Sequence, residues 1–157
     1  MPFLNRRAVL LLAPLAAAAC ASEGTARRES APPAAPRHPN ETPRLRRQIA
    51  RHAHENDLPE DLLRRVVREE STFRPRARNG PYLGLMQIHP QTARTMGHDG
   101  PPEALLEPET NLRYGARYLR GAYIVADGDP EAAIRWYRRG YYYAARDRGL
   151  LQETGLR

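Results

Sequence analysis

Apolar positions recur every three or four residues through most of the chain after Pro43, which is the period of one face of an α-helix. This pattern predicts helices over residues 44–56, 90–96 and 107–126. Two more helices are predicted to start where an aspartate caps the first free N–H groups, at Asp57 and at Asp129. Glu60 supports the first of these caps, because it lies at capping-box spacing from Asp57. The domain is therefore predicted to be mainly α-helical.

The segment between the second and third predicted helices has the composition of a turn. Asn79, Gly80 and Pro81 are adjacent, and Gly84 follows closely. Clusters of glycine and proline of this kind interrupt helices and form turns. Residues 74–84 are therefore predicted to be a loop or a small, irregular β hairpin.

The N-terminal part of the chain is predicted to lie outside the folded domain. It begins with two arginines and a short apolar run, too short to span a bilayer, and small residues then precede Cys20. This order resembles a bacterial lipoprotein signal, in which the cysteine is lipidated, while an ordinary cleaved signal and a membrane anchor are alternatives. The predicted division is a signal segment at 1–20, a Pro/Ala-rich tether at 21–43, the folded domain at 44–150 and a C-terminal tail at 151–157.

The charge pattern excludes few classes of partner. The chain has 25 basic residues, all arginine, and 18 acidic residues, which gives a formal net charge of +7. The two signs are interspersed, so an ordinary solvated surface explains the pattern, and a preference for an anionic polymer is the alternative. We expect no nucleic acid partner. We also expect no metal, because the histidines lack ligand spacing; His52 and His54, for example, are two residues apart.

One carboxylate is predicted to lie on an apolar helix face. Glu70 shares helical spacing with three apolar residues, namely Leu63, Val66 and Val67. The neighbouring Glu69 points about 100° away. Burial raises the pKa of a carboxyl group, as a general acid near neutral pH requires. Glu70 is therefore either such an acid or a residue at the rim of the core, paired with one of the arginines.

Two motifs favour the catalytic interpretation. Glu70-Ser71-Thr72-Phe73 is followed about a dozen residues later by Gly84-Leu85-Met86-Gln87. Asn111-Leu112 and Gly115 come further along the chain. This order and spacing resemble the lytic transglycosylase domain of the goose-type lysozyme superfamily. The resemblance implies a compact, lysozyme-like helical domain.

The resemblance also implies roles for individual residues. Glu70 would be the catalytic acid and base, and Ser71 would help to orient the substrate beside it. The glycan groove would be lined by the loop residues Gly84, Leu85, Met86 and Gln87. For two of these, Leu85 and Met86, packing in the core is the alternative. Tyr137 would lie near the glutamate and the scissile sugar, or pack as an ordinary core aromatic residue.

The sequence departs from the family pattern after this tyrosine. Arg138 stands where the family usually has asparagine, although Gly140 is kept. Pro81-Tyr82 also stands where the family more often has small residues. Further on, Tyr141-Tyr142-Tyr143 is expected either to stack on sugars or to pack. These departures concern the shape of the groove and not the acid.

The activity that the resemblance implies is cleavage of peptidoglycan between N-acetylmuramic acid and N-acetylglucosamine. Glu70 would protonate the glycosidic oxygen, and the muramic acetamido group would support the charge at C1. The same carboxylate would then take the proton of the sugar's own 6-hydroxyl, which closes a 1,6-anhydro ring. No cofactor is expected.

The expected setting is the cell envelope. The protein would bind glycan strands as a monomer in the periplasm, attached to the outer membrane through Cys20. Two alternatives stay open. A lysozyme-type hydrolase would need a second carboxylate or a positioned water, and a non-catalytic wall-binding lipoprotein would keep the groove without turnover.

Overall fold

The computed structural model describes residues 38–156, so the predicted signal segment, Cys20 and most of the predicted tether lie outside the described residues. The described part is mainly helical with one small antiparallel hairpin, which confirms the predicted fold class. In chain order its elements are α1 (Pro43–Glu55), α2 (Glu60–Ser71), β1 (Arg78–Asn79), β2 (Tyr82–Leu83), α3 (Pro90–Thr95), a 3₁₀ helix (Pro102–Leu106), α4 (Pro108–Val125), α5 (Pro130–Arg139) and α6 (Tyr142–Asp147).

Three helices begin at a polar cap followed by proline, and in two of them, α1 and α5, the capping atom is an oxygen. The Thr42 side chain accepts a hydrogen bond from the Leu45 N–H at 3.1 Å and starts α1. Asp129 does the same for α5, accepting from the Ala132 N–H at 2.5 Å, which confirms it as the predicted cap. In both cases the proline is tolerated because the first N–H groups of a helix have no intrahelical acceptor.

The predicted cap at Asp57 is wrong. Its backbone is left-handed, with φ of 50°, and α2 starts at Glu60 without a side-chain hydrogen bond at its cap. The reason is the short connection between α1 and α2. The Leu58 N–H bonds back to the Ala53 carbonyl at 2.9 Å, so Asp57 turns the chain between the two helices and does not open the second.

The main core surrounds α4. Its buried face includes four fully buried apolar residues, Leu112, Ala116, Leu119 and Ala122, while Tyr123 lies half-buried. Helices α1 and α5 pack against α4, and α2 packs against α1. This arrangement brings the C-terminal end of α2 close to that of α5.

A smaller apolar cluster lies beneath the hairpin and includes Leu83, Ile88, Ala93, Leu105 and Leu106. The loop that follows β2 rests directly on α4 at Gly115. A Cβ atom at Gly115 would come within 2.4 Å of the Met86 sulfur, so the close approach requires glycine. The hairpin and its loop are thereby fixed to the central helix.

Two elements were not predicted from the hydrophobic period, namely the 3₁₀ helix between α3 and α4, and α6 in the C-terminal part. Tyr141 is buried and its hydroxyl donates to the Tyr118 carbonyl at 2.9 Å, whereas Tyr142 and Tyr143 are exposed. Leu156 is buried against the main core. Among residues 38–156, no helix has the length and apolar character that a membrane crossing needs.

Candidate active site

Glu70 lies in the last turn of α2, at the rim of the core. Three residues of its predicted face, Leu63, Val66 and Val67, are essentially fully buried, but 21% of the Glu70 side chain stays exposed. Its Oε1 accepts a hydrogen bond from the Arg138 Nε at 3.0 Å. The sequence left open whether Glu70 is an acid or a rim residue paired with an arginine. The structure shows the ion pair with Arg138.

Arg138 bonds to two adjacent carboxylates at once. Besides Glu70, its Nη2 donates to the Glu69 Oε2 at 2.8 Å. Glu69 also accepts from the Arg65 Nε at 2.8 Å, and Arg65 donates a further hydrogen bond to Glu131 on α5. The hydrogen bond from Arg65 is the main cause that lowers the pKa of Glu69. A chain of alternating charges therefore joins the end of α2 to α5.

A cavity of about 250 Å³ opens beside this ion pair. It lies between the hairpin, the loop after it and the end of α5. The lining residues include Tyr82, Gln87, His89, Tyr137, Arg138 and Arg139. Glu70 does not line this cavity itself, but it interacts with two residues of the wall, because Arg138 donates a hydrogen bond to Glu70 and the charge of Glu70 acts on Tyr137. The pKa of Tyr137 is raised, mainly by burial and further by the charge of Glu70.

The loop Gly84–Gln87 is held by a buried amide that sequence reasoning had given no role. Asn111 is completely buried, and its Nδ2 donates to the carbonyls of Leu83 at 2.8 Å and Leu105 at 2.7 Å. Its Oδ1 accepts from the Met86 N–H at 2.8 Å. Asn111 belongs to the motif order that suggested the family, but only the fold shows which backbone groups it satisfies.

Of the four predicted loop residues, only Gln87 lines the cavity. Leu85 and Met86 are fully buried, so their side chains pack in the core, while the Met86 carbonyl accepts from the Tyr137 hydroxyl at 2.8 Å. Gln87 lines the cavity and donates to the Gly84 carbonyl at 2.8 Å. Gly84 has φ of 76°, and a Cβ atom there would lie 2.3 Å from the Leu105 carbonyl oxygen.

Ser71 is buried beside Glu70. Its Oγ donates to the Val67 carbonyl at 3.1 Å and accepts from the Arg74 N–H at 3.3 Å. These bonds end α2, and the next two residues, Thr72 and Phe73, adopt left-handed backbone angles. In this structure the Ser71 hydroxyl therefore shapes the end of the helix that carries Glu70.

Residues 38–156 contain no group of three or more His, Cys, Asp and Glu side chains arranged to hold a metal ion. His52 is buried, with its two ring nitrogens 3.2 Å and 3.0 Å from carboxylates of Glu55 and Glu109. That no metal or cofactor takes part stays a prediction.

The described residues form a lysozyme-like helical domain in which Glu70 is bonded to Arg138, a residue of the cavity wall. The chain belongs to the Transglycosylase SLT domain family, whose model matches residues 47–152. The matched range contains every site residue described above.

Two curated proteins are similar to parts of the chain. A peptidoglycan transglycosylase, gp16, of Escherichia phage T7 is 39% identical over 90 residues, which is 54% of this chain and 7% of the phage protein. Membrane-bound lytic murein transglycosylase F 2 of Alkalilimnicola ehrlichii is 35% identical over 78 residues, which is 49% of this chain and 16% of that protein. The chain thus spans a small fraction of either relative.

Proposed function

We propose that this protein is a peptidoglycan lytic transglycosylase that uses Glu70 as its single acid and base. The observation that carries the proposal is the position of Glu70 at the end of α2, next to the cavity walled by Tyr137 and Gln87, in a chain of the SLT family. Both curated relatives are named as transglycosylases of peptidoglycan or murein.

The chemistry needs one carboxyl group that first donates a proton and then accepts one. Protonated Glu70 gives its proton to the glycosidic oxygen between N-acetylmuramic acid and N-acetylglucosamine, and the bond from C1 to that oxygen breaks. The acetamido group of the muramic residue supports the positive charge at C1. Glu70 then takes the proton of the 6-hydroxyl of the same muramic residue, while the oxygen of this hydroxyl bonds to C1. The products are a 1,6-anhydro end and a free hydroxyl on the leaving sugar, and the carboxyl group regains its proton.

The surrounding residues receive roles that follow from their contacts. Gln87 and Tyr137 would contact the glycan from the cavity wall. Gly84, Leu85 and Met86 would position that wall, because their contacts are to the core and to backbone groups. Ser71 would act through Glu70 by fixing the end of α2.

The proposed setting is the cell envelope, because peptidoglycan is found there. Lipidation of Cys20 would attach the protein to the outer membrane and leave the domain, as a monomer, within reach of glycan strands in the periplasm. The name of the second relative includes the words membrane-bound, which agrees with attachment to a membrane in that protein.

A non-catalytic wall-binding protein is the second candidate, and the Arg138–Glu70 ion pair is the observation that favours it. Such an ion pair is typical of a structural contact, and it occupies the Oε1 atom of Glu70. A lysozyme-type hydrolase has less support, because Glu69, the neighbouring carboxylate, is bonded to Arg65 and to the same Arg138.

Product analysis tests these candidates. Purified peptidoglycan would be incubated with the purified protein, and the soluble muropeptides would be identified by mass spectrometry. We expect 1,6-anhydro-N-acetylmuramic ends. Reducing ends would identify a hydrolase instead, and a folded protein that releases no soluble product would support the wall-binding candidate.

A further inference from the structure

We infer that the cavity beside Glu70 binds a carboxylate carried by muramic acid, and that Arg138 exchanges Glu70 for this carboxylate when a strand binds. The inference rests on the proposed function and specifies its substrate: strands with free carboxylates are the preferred ones. Muramic acid offers such a group in two places, on its own lactyl substituent when no peptide is attached, or on the attached peptide.

The charge of the cavity wall is the first argument. Two guanidinium groups, those of Arg138 and Arg139, line the cavity, and none of the described residues that line it is acidic. Arg139 lies over the Trp136 ring, with its guanidinium carbon 3.8 Å from the ring centroid, which fixes the second positive charge in place. A small cavity with two fixed cations and a polar rim suits an anionic group better than a neutral sugar.

The bonding of Arg138 is the second argument. Its Nε contacts Glu70 at 3.0 Å and its Nη2 contacts Glu69 at 2.8 Å. Half of the Arg138 side chain is nevertheless exposed. The planar fork of arginine binds carboxylates side-on, so the guanidinium can bind an incoming carboxylate in place of one of its present partners. The bond to Glu70 is the longer of the two, and the exchange therefore falls on Glu70.

The exchange has a consequence for the reaction. While Arg138 holds Glu70, the Oε1 atom of this carboxylate is occupied by the hydrogen bond from the Arg138 Nε. A substrate carboxylate that takes over Arg138 frees this oxygen for contact with the glycosidic bond. A strand without free carboxylates binds the same groove but leaves this ion pair intact. Arg138 is thus a positioning residue that couples the charge of the substrate to the contacts of Glu70.

Chemical neutralisation of the substrate provides the test. Four substrates would be compared at fixed sugar concentration and chain length: strands with their peptides, strands freed of peptides by an amidase, and each of these with its carboxylates converted to amides by carbodiimide coupling. The rate of release of soluble product would be measured for the wild type and for Arg138→Asn, Arg139→Gln and Arg135→Gln. Arg135 is the matched control, because it is an exposed arginine of α5 outside the cavity wall.

We expect the wild type to cleave native strands about tenfold faster than amidated ones, which corresponds to about 1.4 kcal/mol. Arg138→Asn should reduce this ratio to near one, a change of substrate preference that a purely structural role would not produce. Arg139→Gln should reduce the ratio in part, and Arg135→Gln should keep it. If amidation slows cleavage of strands with peptides, the carboxylate belongs to the peptide. If it slows cleavage of strands freed of peptides, the carboxylate is the lactyl group.

Equal rates on native and amidated strands in the wild type would overturn the inference, as would an unchanged ratio in Arg138→Asn. Failure of the proposed function looks different, because the substrates would then yield either products with reducing ends or no product. In that case sedimentation of the wild type with native and amidated strands still decides the inference. Weaker binding to amidated strands, restored to equality by Arg138→Asn, would support a carboxylate site without catalysis.

Discussion

Two arginine–carboxylate clusters fasten α2 to other parts of the molecule, and they differ in what surrounds them. Near its start, Arg64 donates two hydrogen bonds to Glu41, at 2.8 Å and 2.7 Å, and Arg46 of α1 adds a third at 3.2 Å. Near its end, Glu70 receives one bond from Arg138 of α5. The Glu41 side chain has no exposed surface, whereas 21% of the Glu70 side chain and half of the Arg138 side chain are exposed.

This difference separates a structural ion pair from one that is able to exchange partners. The Glu41 carboxylate is enclosed, whereas its arginines keep 28% and 18% of their side chains exposed, so loss of the arginines would leave a buried charge without a partner. The Glu70 pair borders a cavity large enough for a ligand group. The same chemical pair therefore stabilises the fold in one place and is suited to a reaction in the other.

The largest contrast is expected from replacing each glutamate by glutamine. Glu70→Gln should lower turnover of peptidoglycan by about 10²–10⁴-fold, which is the usual contribution of a general acid–base group. The fold should be retained, because the substitution lies at a partly exposed rim. Turnover and the circular dichroism melting curve would be measured together. A folded Glu70→Gln protein with normal turnover would refute the catalytic assignment.

The matching substitution in the enclosed cluster should have the opposite profile. Glu41→Gln should reduce the free energy of unfolding by about 1.5–3 kcal/mol, because hydrogen bonds to a charged partner are lost inside the protein. Turnover per folded molecule should not change. Urea unfolding gives the first quantity and an assay corrected for the folded fraction gives the second. A loss of turnover at full stability would mean that the two clusters are not separate.

The smallest expected effect is a dependence of stability on pH. The hydrogen bond from Arg64 lowers the pKa of Glu41 below its ordinary value of 4.5. The unfolded chain therefore binds a proton at Glu41 before the folded protein does, and the stabilisation is present above pH 4.5 and disappears as the pH falls through the lowered value. The wild type should thus lose its advantage over Glu41→Gln only in acid. A constant difference between the two unfolding free energies over this range would contradict the prediction.

The sequence predicts those features that depend on local spacing. The helical period located α4 and the apolar face of α2, and the cap at Asp129 depends only on its own helix. The cap at Asp57 failed because the connection from α1 folds back on itself, which no capping rule includes. Two features of the site join distant parts of the chain. Arg138 and Glu70 are 68 residues apart, and Asn111 bonds to backbone groups up to 28 residues away. Motif order indicated that such residues matter, but their contacts follow only from the packing of the helices.

The chain of charges from Glu131 through Arg65, Glu69 and Arg138 to Glu70 has an evolutionary consequence. Substitutions of residues that share a partner are not additive, so the effect of one depends on the residue present at the other. A change from arginine to asparagine at position 138 would leave Glu69 with Arg65 as its remaining arginine partner. A later loss of Arg65 would then leave the Glu69 carboxylate without an arginine partner. The order in which such replacements accumulate is therefore constrained by epistasis, and related sequences that carry asparagine at position 138 are expected to vary less freely at position 65.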